Sequence, residues 1–401
     1  MQGKKKVLAV ISVLKGGGAE RVLALLANEL NNQGCEVELL TTSSCKEAVI
    51  QPELNSKIPL LILQEMIRDS QFLRLYYRLL RIVSSILCKP FEQFKKTPPV
   101  LFSCLSFLAE YHGEIKALKN KLKKEPETTL VVFLQPAIPI ALLATRGLPN
   151  RVIISERCDP KRLMKSRYGY GFVKKYYERA DKVVFQTQQA KEIYPPNISQ
   201  KGTVICNPIK EGLPEPYRGE RNKNITTFCR ISKQKNLPML VEAFALVHKE
   251  FPQYRLRIIG QPNNDDDLMA LEETKSAIAR LGVADAVEFL PFTNNVHQEI
   301  IKDAMYVNSS DYEGISNAML EAMAIGMPVV CTDCPVGGAA AVIEHGVNGL
   351  LVEVGNSQMC AQAIKRVIAD QELAAQLSQN AQKIREDLSL FRIGMKWMEL
   401  L

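Results

Sequence analysis

The start of the chain alternates in a way that is typical of a parallel α/β sheet. The apolar run VLAVISVL at 7–14 predicts a buried strand, the glycines at 16–18 predict a tight loop, and RVLALLANELNNQG at 21–34 predicts a helix with one apolar face. EVELLTT at 36–42 predicts the next strand. Strand, glycine loop, helix and strand in this order make a βαβ unit of a doubly wound sheet.

The alternation continues in two successive blocks. Further strands of the first block are predicted at 130–135, 151–155, 182–187 and 202–208. A stretch rich in proline and glycine at 208–221 interrupts the pattern, and a second block then repeats it with new sequence. A chain of 401 residues that is 46% hydrophobic is long enough for two separate cores.

We therefore predict an α/β protein with two Rossmann-like domains. The first domain spans 1–208 and carries a basic helical insertion at about 66–125, the second spans 209–385, and a helical pattern at 386–401 ends the chain.

Several classes of protein are not predicted. No run approaches the ~20 apolar residues that a bilayer span needs, and the short apolar stretch near the N-terminus reads as a strand rather than a signal peptide. Ten scattered cysteines without an export signal indicate reduced thiols in the cytoplasm. The pair Cys331 and Cys334 has no second pair to complete a zinc site, so no metal is expected from it.

The glycine loop leaves two interpretations open. Its sequence GGGAER is neither G-x-G-x-x-G nor a P-loop, so it supports neither nicotinamide nor ATP binding. Glycines without side chains just before a helix can bring free N–H groups close to an anion. The alternative is a simple βα turn.

Two cations in the second block suit a diphosphate. Arg230 and Lys235 follow a predicted strand and precede a predicted helix, which places them at the carboxyl edge of the second sheet. Arg grips phosphate oxygens at two points, and Lys supplies a compact charge. Taken alone, the two residues are also compatible with solvated surface cations.

A pair of carboxylates follows a later strand of the same block. Glu313 ends a loop, a helix is predicted to start near Ser316, and Glu321 lies further along that helix. One carboxylate would reach a sugar and the other a ribose, with the phosphates near the helix N-terminus between them. The alternative is a helix cap at Glu313 and a solvated Glu321. The predicted donor-binding residues of this stretch are Gly314, Ile315, Ser316, Asn317 and Glu321.

Three motifs together resemble family 4 glycosyltransferases. They are E-x7-E at Glu313 and Glu321, RISKQKN starting at Arg230, and GGGAERV at 16–22. The resemblance covers essentially the whole chain. ISERCDP at 154–160, CNPI at 206–209 and TDCPVGG at 332–338 are most similar to bacterial enzymes of surface polysaccharide synthesis, such as lipopolysaccharide and capsule.

The resemblance implies a GT-B fold, in which two Rossmann-like domains face a central cleft and the C-terminal helix returns to the N-terminal domain. It implies an N-terminal acceptor domain and a C-terminal nucleotide-sugar domain. The activity implied is a retaining transfer of a sugar from UDP-hexose or UDP-N-acetylhexosamine to a glycan acceptor, which is expected to be lipid-linked.

The resemblance also implies roles for individual residues. Arg230 and Lys235 would neutralise the leaving diphosphate, Glu321 would bind ribose hydroxyls and Glu313 would contact the donor sugar. Gly17 and Gly18 would let the first domain approach the phosphates. No metal or other cofactor is expected, and the acidic run at 265–267 is predicted to be a solvated turn.

The sequence departs from the family pattern at three places. Cys229 stands where glycine is usual, and Cys158 stands where asparagine is common. The histidine that many relatives carry near the acceptor has no counterpart at the expected place. We predict that Glu156 and Arg157, at the end of a strand, act on the acceptor side instead; the alternative is a structural ion pair.

The segment 66–125 holds twelve Lys or Arg and five Asp or Glu, so most of the net charge of +8 lies there. QFLRLYYRLLRIVSSILC at 71–88 predicts a helix with one apolar face, and Arg74, Arg78 and Arg81 lie on another. It is either an interfacial helix on anionic cytoplasmic lipid or an inserted helix packed on the first domain. The charge favours contact with the membrane surface, and no motif indicates nucleic acid.

Two other functions fit the same fold. One is a sugar-nucleotide epimerase or a phosphorylase. The other is a catalytically silent subunit that stabilises a partner transferase.

Overall fold

The computed structural model describes residues 4–43, 54–67, 71–93, 99–157, 159–161 and 169–401. Cys158 and parts of the predicted insertion, at 68–70 and 94–98, lie outside these residues. The chain divides into two compact units. One comprises Met1–Cys206 together with Ile393–Leu401, and the other comprises Asn207–Arg392.

The first unit is built on seven parallel strands in the order β3-β2-β1-β4-β5-β6-β7. The residues of the central strands are almost all apolar and buried, as expected of a sheet that is covered on both faces, whereas those of the two edge strands are partly buried. The strands are β1 Lys6–Ile11, β2 Glu36–Thr41, β3 Leu60–Ile62, β4 Thr129–Phe133, β5 Val152–Ser155, β6 Lys182–Phe185 and β7 Gly202–Val204. The strand predicted at 202–208 is therefore shorter than expected.

The helices of the first unit connect these strands. They are α1 Gly18–Asn32, α2 Gln71–Gln93, α3 Val100–Leu122, α4 Ala137–Ala144, α5 Gly169–Tyr177, α6 Gln188–Glu192 and α7 Pro196–Ser199. None of the helices that the structure describes is long and apolar enough to cross a bilayer.

The second unit is built on six parallel strands in the order β10-β9-β8-β11-β12-β13. The strands are β8 Asn224–Phe228, β9 Arg255–Ile259, β10 Val287–Leu290, β11 Met305–Asn308, β12 Val329–Thr332 and β13 Leu350–Val352. The helices are α8 Leu237–His248, α9 Asp265–Leu281, α10 Val296–Ile300, α11 Asn317–Ala324, α12 Ser357–Ala369, α13 Gln371–Ala381 and α14 Ile384–Asp387.

The last helix, α15, spans Leu390–Met398, and its residues from Ile393 onward belong to the first unit. Trp397 is buried there, with its ring centroid 5.8 Å from that of Phe133 at the end of β4. Burial of the large Trp397 side chain removes apolar surface from water, which stabilises the packing of the last helix on the first sheet.

The strand order reverses between β1 and β4 in the first sheet and between β8 and β11 in the second. Ligands of open α/β sheets bind beyond the carboxyl ends of the strands at such a reversal. The loop 229–236 follows β8, and the loop 309–316 follows β11. The predicted cations and Glu313 therefore lie at the switch point of the second sheet.

The acidic run at 265–267 is not the turn that the sequence predicts, although Asp265 and Asp266 are exposed to solvent as expected. These residues form the first turn of α9, whose N-cap Asn264 accepts a hydrogen bond from the Asp267 N–H at 2.9 Å. Asp267 is buried. Acidic side chains are stabilised at the positive end of a helix, which explains why three of them gather there.

Candidate active site

Lys235 is held at the end of a short turn. The residues Lys233–Lys235 form a 3-10 segment, and Asn236 then takes a left-handed conformation with φ of 41°. The Asn236 side chain caps α8 by accepting the Met239 N–H at 3.3 Å. Asn tolerates this conformation better than most residues, and its cap fixes the direction in which Lys235 leaves the turn.

The loops after β8 and β11 are bonded to each other directly. Ser309 Oγ donates to the Lys235 carbonyl at 2.7 Å, and the Asp311 N–H donates to the Gln234 carbonyl at 2.9 Å. Asn236 Nδ2 donates to Asp311 Oδ1 at 2.6 Å. Several bonds that share two short loops restrict both, so the groups that they carry are held in fixed positions relative to each other.

Lys235 and Glu313 form an ion pair at this edge. The Lys235 ammonium donates to Glu313 Oε1, and the two side chains are only 16% and 13% exposed. Ser310 Oγ donates to the same carboxylate oxygen at 2.9 Å. Burial alone would lower the pKa of Lys235, but the Glu313 carboxylate leaves that pKa above its usual range, so Lys235 is a cation.

Arg230 is a half-exposed cation at the same edge. Its side chain is 50% exposed, and its Nε lies 3.7 Å from Oδ2 of the buried Asp267. A nearby carboxylate orients the guanidinium without covering it. Asp267, from the acidic run that is predicted to be a solvated turn, therefore belongs to the candidate site.

The TDCPVGG segment supports the loop that carries Glu313. Thr332 Oγ1 and Cys334 Sγ both donate to the Ser310 carbonyl, at 2.7 and 3.0 Å. A Cβ added at Gly338 would lie 1.5 Å from the Gly314 carbonyl oxygen. Only glycine permits this approach of two backbones. Burial raises the pKa of Cys334 to about 11, so its thiol is protonated at neutral pH.

The N-terminus of α11 is fixed from two sides. Ser316 is its N-cap and accepts the Met319 N–H at 3.3 Å. The buried Asn207, from the CNPI motif, donates to the Ile315 carbonyl at 3.2 Å and to Asn317 Oδ1 at 2.7 Å. These bonds leave residues 315–317 in a defined position at the positive end of a helix.

Glu321 is buried and hydrogen-bonded to a histidine. His297 Nε2 lies 2.9 Å from Glu321 Oε2, both residues are 5% exposed, and the ring of His297 meets the edge of Phe228. The alternative of a solvated Glu321 is therefore wrong. Sequence reasoning missed His297, because no local pattern links α10 to a carboxylate on α11.

The glycine loop of the first unit is an exposed helix start. Gly17 is the N-cap of α1, and its N–H donates to Glu20 Oε2 at 3.2 Å; the Lys15 N–H donates to the same oxygen. Gly18 is the first residue of the helix. The anion that meets the Lys15 and Gly17 amides in this structure is thus the chain's own Glu20.

Glu156 and Arg157 lie at the end of β5, and both are buried. Glu156 Oε2 accepts hydrogen bonds from the hydroxyls of Tyr177 at 2.6 Å and Tyr194 at 3.3 Å. The Arg157 guanidinium lies over the Phe133 ring at 4.4 Å, and burial lowers its pKa to about 9. The tyrosines hold Glu156 in place within the first unit.

No group of three or more His, Cys, Asp or Glu side chains is placed to hold a metal ion within the described parts of the chain.

Solved structures with the same architecture are glycosyltransferases of the GT-B class. Anabaena HepE in complex with UDP and glucose superposes with a TM-score of 0.73 at 19% identity, covering 99% of each chain. The pneumococcal O-GlcNAc transferase GtfA, solved with UDP and GlcNAc, gives 0.74 at 13% identity over 99% of this chain and 98% of that one. The protein therefore has the GT-B fold that the resemblance implies.

The family follows from the second unit. Residues 214–384 match the family model described as glycosyl transferases group 1, and this segment contains Arg230, Lys235, Glu313 and Glu321. This segment is therefore a group 1 glycosyltransferase domain, as the resemblance predicts.

Two relatives match over most of their length. An uncharacterized glycosyltransferase of Haemophilus influenzae is 24% identical over 404 residues, which is 99% of this chain and 100% of the relative. A Campylobacter jejuni N-acetylgalactosaminyltransferase is 27% identical over 319 residues, 76% of this chain and 83% of the relative. The name of the second specifies an acceptor sugar on diphospho-undecaprenol.

Proposed function

We propose that this chain transfers a sugar from UDP-hexose or UDP-N-acetylhexosamine to a glycan acceptor during the synthesis of a bacterial surface polysaccharide. The acceptor is lipid-linked and is met at the cytoplasmic side of the membrane. The donor class is supported by the UDP complexes of proteins with this fold, and the acceptor class by the name of the Campylobacter relative.

One observation carries the proposal. Lys235 and Glu313 are paired and largely buried at the switch point of the second sheet, beside the half-exposed Arg230. A diphosphate at this edge would find two cations and the N-terminus of α11, and a sugar attached to it would find a carboxylate. The cations suit the diphosphate of a nucleotide sugar, and the carboxylate can accept hydrogen bonds from the hydroxyls of its sugar.

We propose the following roles for the site residues. Arg230 and Lys235 stabilise the negative charge that grows on the leaving diphosphate. Glu313 contacts the donor sugar, with residues 314–317 around the phosphates, and Glu321 binds the ribose hydroxyls. Gly17 and Gly18 have no side chains and let the backbone of the first unit approach the phosphates, and Glu156 and Arg157 serve the acceptor.

We propose that the reaction retains the anomeric configuration and requires no metal. The acceptor oxygen attacks the anomeric carbon on the face that the nucleoside diphosphate leaves. The departing phosphate oxygen accepts the acceptor proton, so no covalent sugar–enzyme bond forms. Arg230, Lys235 and the N–H groups of α11 supply the positive charge that a divalent cation gives in other phosphate chemistry.

The test is a turnover assay with the full chain, a lipid extract that contains lipid-linked glycans, and UDP-, GDP- and ADP-sugars, with and without EDTA. We expect one UDP-sugar to be consumed only when acceptor is present, with an α-linked product in the NMR spectrum and no effect of EDTA.

A β-linked product would contradict retention, and loss of activity with EDTA would contradict metal independence. Free sugar or sugar phosphate without acceptor would favour an epimerase or phosphorylase, and UDP binding without turnover would favour a silent subunit.

A further inference from the structure

Asn207 is a buried asparagine beside the candidate active site. It lies in the CNPI motif, and its side chain is 3% exposed. Its Nδ2 donates to the Ile315 carbonyl at 3.2 Å and to Asn317 Oδ1 at 2.7 Å, across 108 and 110 residues of sequence. A buried amide with two such partners either stabilises the fold or positions the groups to which it is bonded.

The backbone on the C-terminal side of Asn207 is restrained. Pro208 disfavours a helical conformation of the residue before it, so Asn207 is held extended. The Ile209 N–H donates to the carbonyl of Leu388, which follows α14, at 2.8 Å. All of these residues belong to the second unit. Asn207 therefore reaches the start of α11 from a fixed position within that unit.

The two hydrogen bonds determine how two side-chain amides are turned. A backbone carbonyl can only accept, so the nitrogen of the Asn207 amide faces Ile315. The second hydrogen of the same nitrogen meets the Asn317 side chain, which must turn its oxygen towards Asn207. The nitrogen of Asn317, which is a hydrogen-bond donor, lies at the opposite end of its amide.

This orientation has an electrostatic consequence at the start of α11, where the donor phosphates lie in the proposed function. N–H groups bind a phosphate, whereas carbonyl oxygens carry partial negative charge and repel it. The nitrogen of Asn207 covers two such oxygens, one on Ile315 and one on Asn317. It thereby lowers the negative charge that an arriving diphosphate meets at 315–317.

We propose that Asn207 is a positioning residue of the donor site. It acts on the diphosphate through Ile315 and Asn317 and does not touch the donor itself. The inference rests on the proposed function, because it requires the diphosphate to lie at the start of α11. If Asn207 served the fold alone, its loss would lower stability and leave donor affinity unchanged.

The experiment is calorimetric titration of UDP into the full chain and its variants, with the Tm of each variant measured alongside. Asn207→Ala should raise the Kd of UDP about tenfold, because two oxygens beside the diphosphate lose their donor. Asn207→Asp keeps the size of the side chain but places a carboxylate beside those oxygens. It should raise the Kd roughly 100-fold.

Asn150 in the first unit is the matched control. It is 6% exposed, and its Nδ2 also donates to two carbonyl oxygens, those of Glu125 at 2.8 Å and Thr128 at 3.1 Å. These residues precede β4 and β5, at the amino ends of the strands. Asn150→Ala should lower the Tm about as much as Asn207→Ala and leave the Kd of UDP unchanged.

Two results of this comparison would overturn the inference. One is a Kd of UDP in Asn207→Ala that equals that of the unmodified chain. The other is a rise in Kd in Asn150→Ala that is as large as the rise in Asn207→Ala.

Asn317→Ala removes the same side-chain bond from its other end and covers the case in which Asn207→Ala does not fold. It should also raise the Kd of UDP about tenfold. In the double variant the Kd should rise by clearly less than the roughly 100-fold of two independent losses, because both changes remove one shared bond. An unchanged Kd in Asn317→Ala, or fully additive losses, would contradict the proposed pair.

Binding and transfer distinguish this inference from the proposed function. If the unmodified chain binds UDP and transfers sugar but Asn207→Ala binds UDP equally well, the positioning role alone is wrong. If the unmodified chain binds none of UDP, GDP and ADP, the proposed function is wrong and the inference that rests on it is wrong as well.

Discussion

The carboxyl edges of the two sheets present different kinds of groups. The edge of the second sheet carries charged side chains, and its two loops are bonded to each other through Ser309, Asp311 and Asn236. The edge of the first sheet carries the buried Glu156 and Arg157 after β5 and an exposed glycine turn after β1, whose amides meet Glu20.

This difference suggests a division of labour. Fixed charges cost no reorganisation when a charged ligand arrives, which suits the stabilisation of a leaving diphosphate. A glycine turn offers backbone N–H groups but has no side-chain charge of its own. Substitutions at the edge of the second sheet should therefore change the rate of the chemical step. Substitutions at the edge of the first sheet should change donor affinity, and by smaller factors. The predictions below test this order.

The largest effect is expected at Lys235. Lys235→Ala removes a buried cation and leaves the Glu313 carboxylate uncompensated, so kcat/KM should fall by about 10³-fold or more. Lys233, two residues earlier in the same turn, is exposed. Lys233→Ala is the matched control and should keep nearly full activity. Steady-state kinetics with the accepted donor check both, and an active Lys235→Ala enzyme would refute the site.

A backbone change should come next. In Gly338→Ala the new methyl group must displace the Gly314 carbonyl, which moves the loop that carries Glu313. A shift of about 1 Å can cost roughly 100-fold in rate, and we expect kcat to fall to that degree. Ala340→Ser adds one atom at an exposed position nearby and should have little effect. Unchanged kcat in a folded Gly338→Ala enzyme would show that the loop position does not limit the reaction.

Changes at Glu321 should act on donor binding rather than on the chemical step. Glu321→Ala should raise the donor KM roughly tenfold with a smaller change in kcat, because the proposed hydrogen bonds to the ribose would be lost. His297→Ala should shift KM in the same direction by less, and His297→Gln, which can still donate to Glu321, should recover part of the loss. A fall in kcat at constant KM would instead assign Glu321 to catalysis.

The smallest effect is expected at the first edge. Glu20→Gln removes a negative charge from the amides of Lys15 and Gly17. If those amides approach the donor phosphates, the donor KM should fall by about two- to fivefold. An unchanged donor KM would indicate that the glycine loop is a simple βα turn without a role in donor binding, which is the alternative that the sequence leaves open.

The structural features that the sequence predicts are those with a signal within a few neighbouring residues. Strand periodicity, the glycines at 16–18 and the helix start at Ser316 are each visible within a few residues, and both sheets follow from them. The acidic run at 265–267 also carries a local signal, because Asn264 followed by acidic residues is typical of a helix start.

The features that the sequence does not predict are contacts between segments that lie far apart in the chain. Asn207 reaches Asn317 across 110 residues, and His297 reaches Glu321 across 24. Gly338 touches Gly314 only because two loops converge at one edge of the sheet. No spacing rule links such residues in a single sequence. The TDCPVGG motif at 332–338 is therefore visible in the sequence, but its contacts with Ser310 and Gly314 are not predicted.

The most direct test of the central claim is a crystal structure of the full chain with UDP bound. The account predicts that the diphosphate lies beyond β8 and β11, with oxygens within about 3 Å of Arg230 and Lys235. It also predicts that the ribose hydroxyls meet Glu321. A diphosphate held elsewhere, with neither Arg230 nor Lys235 in contact, would contradict it.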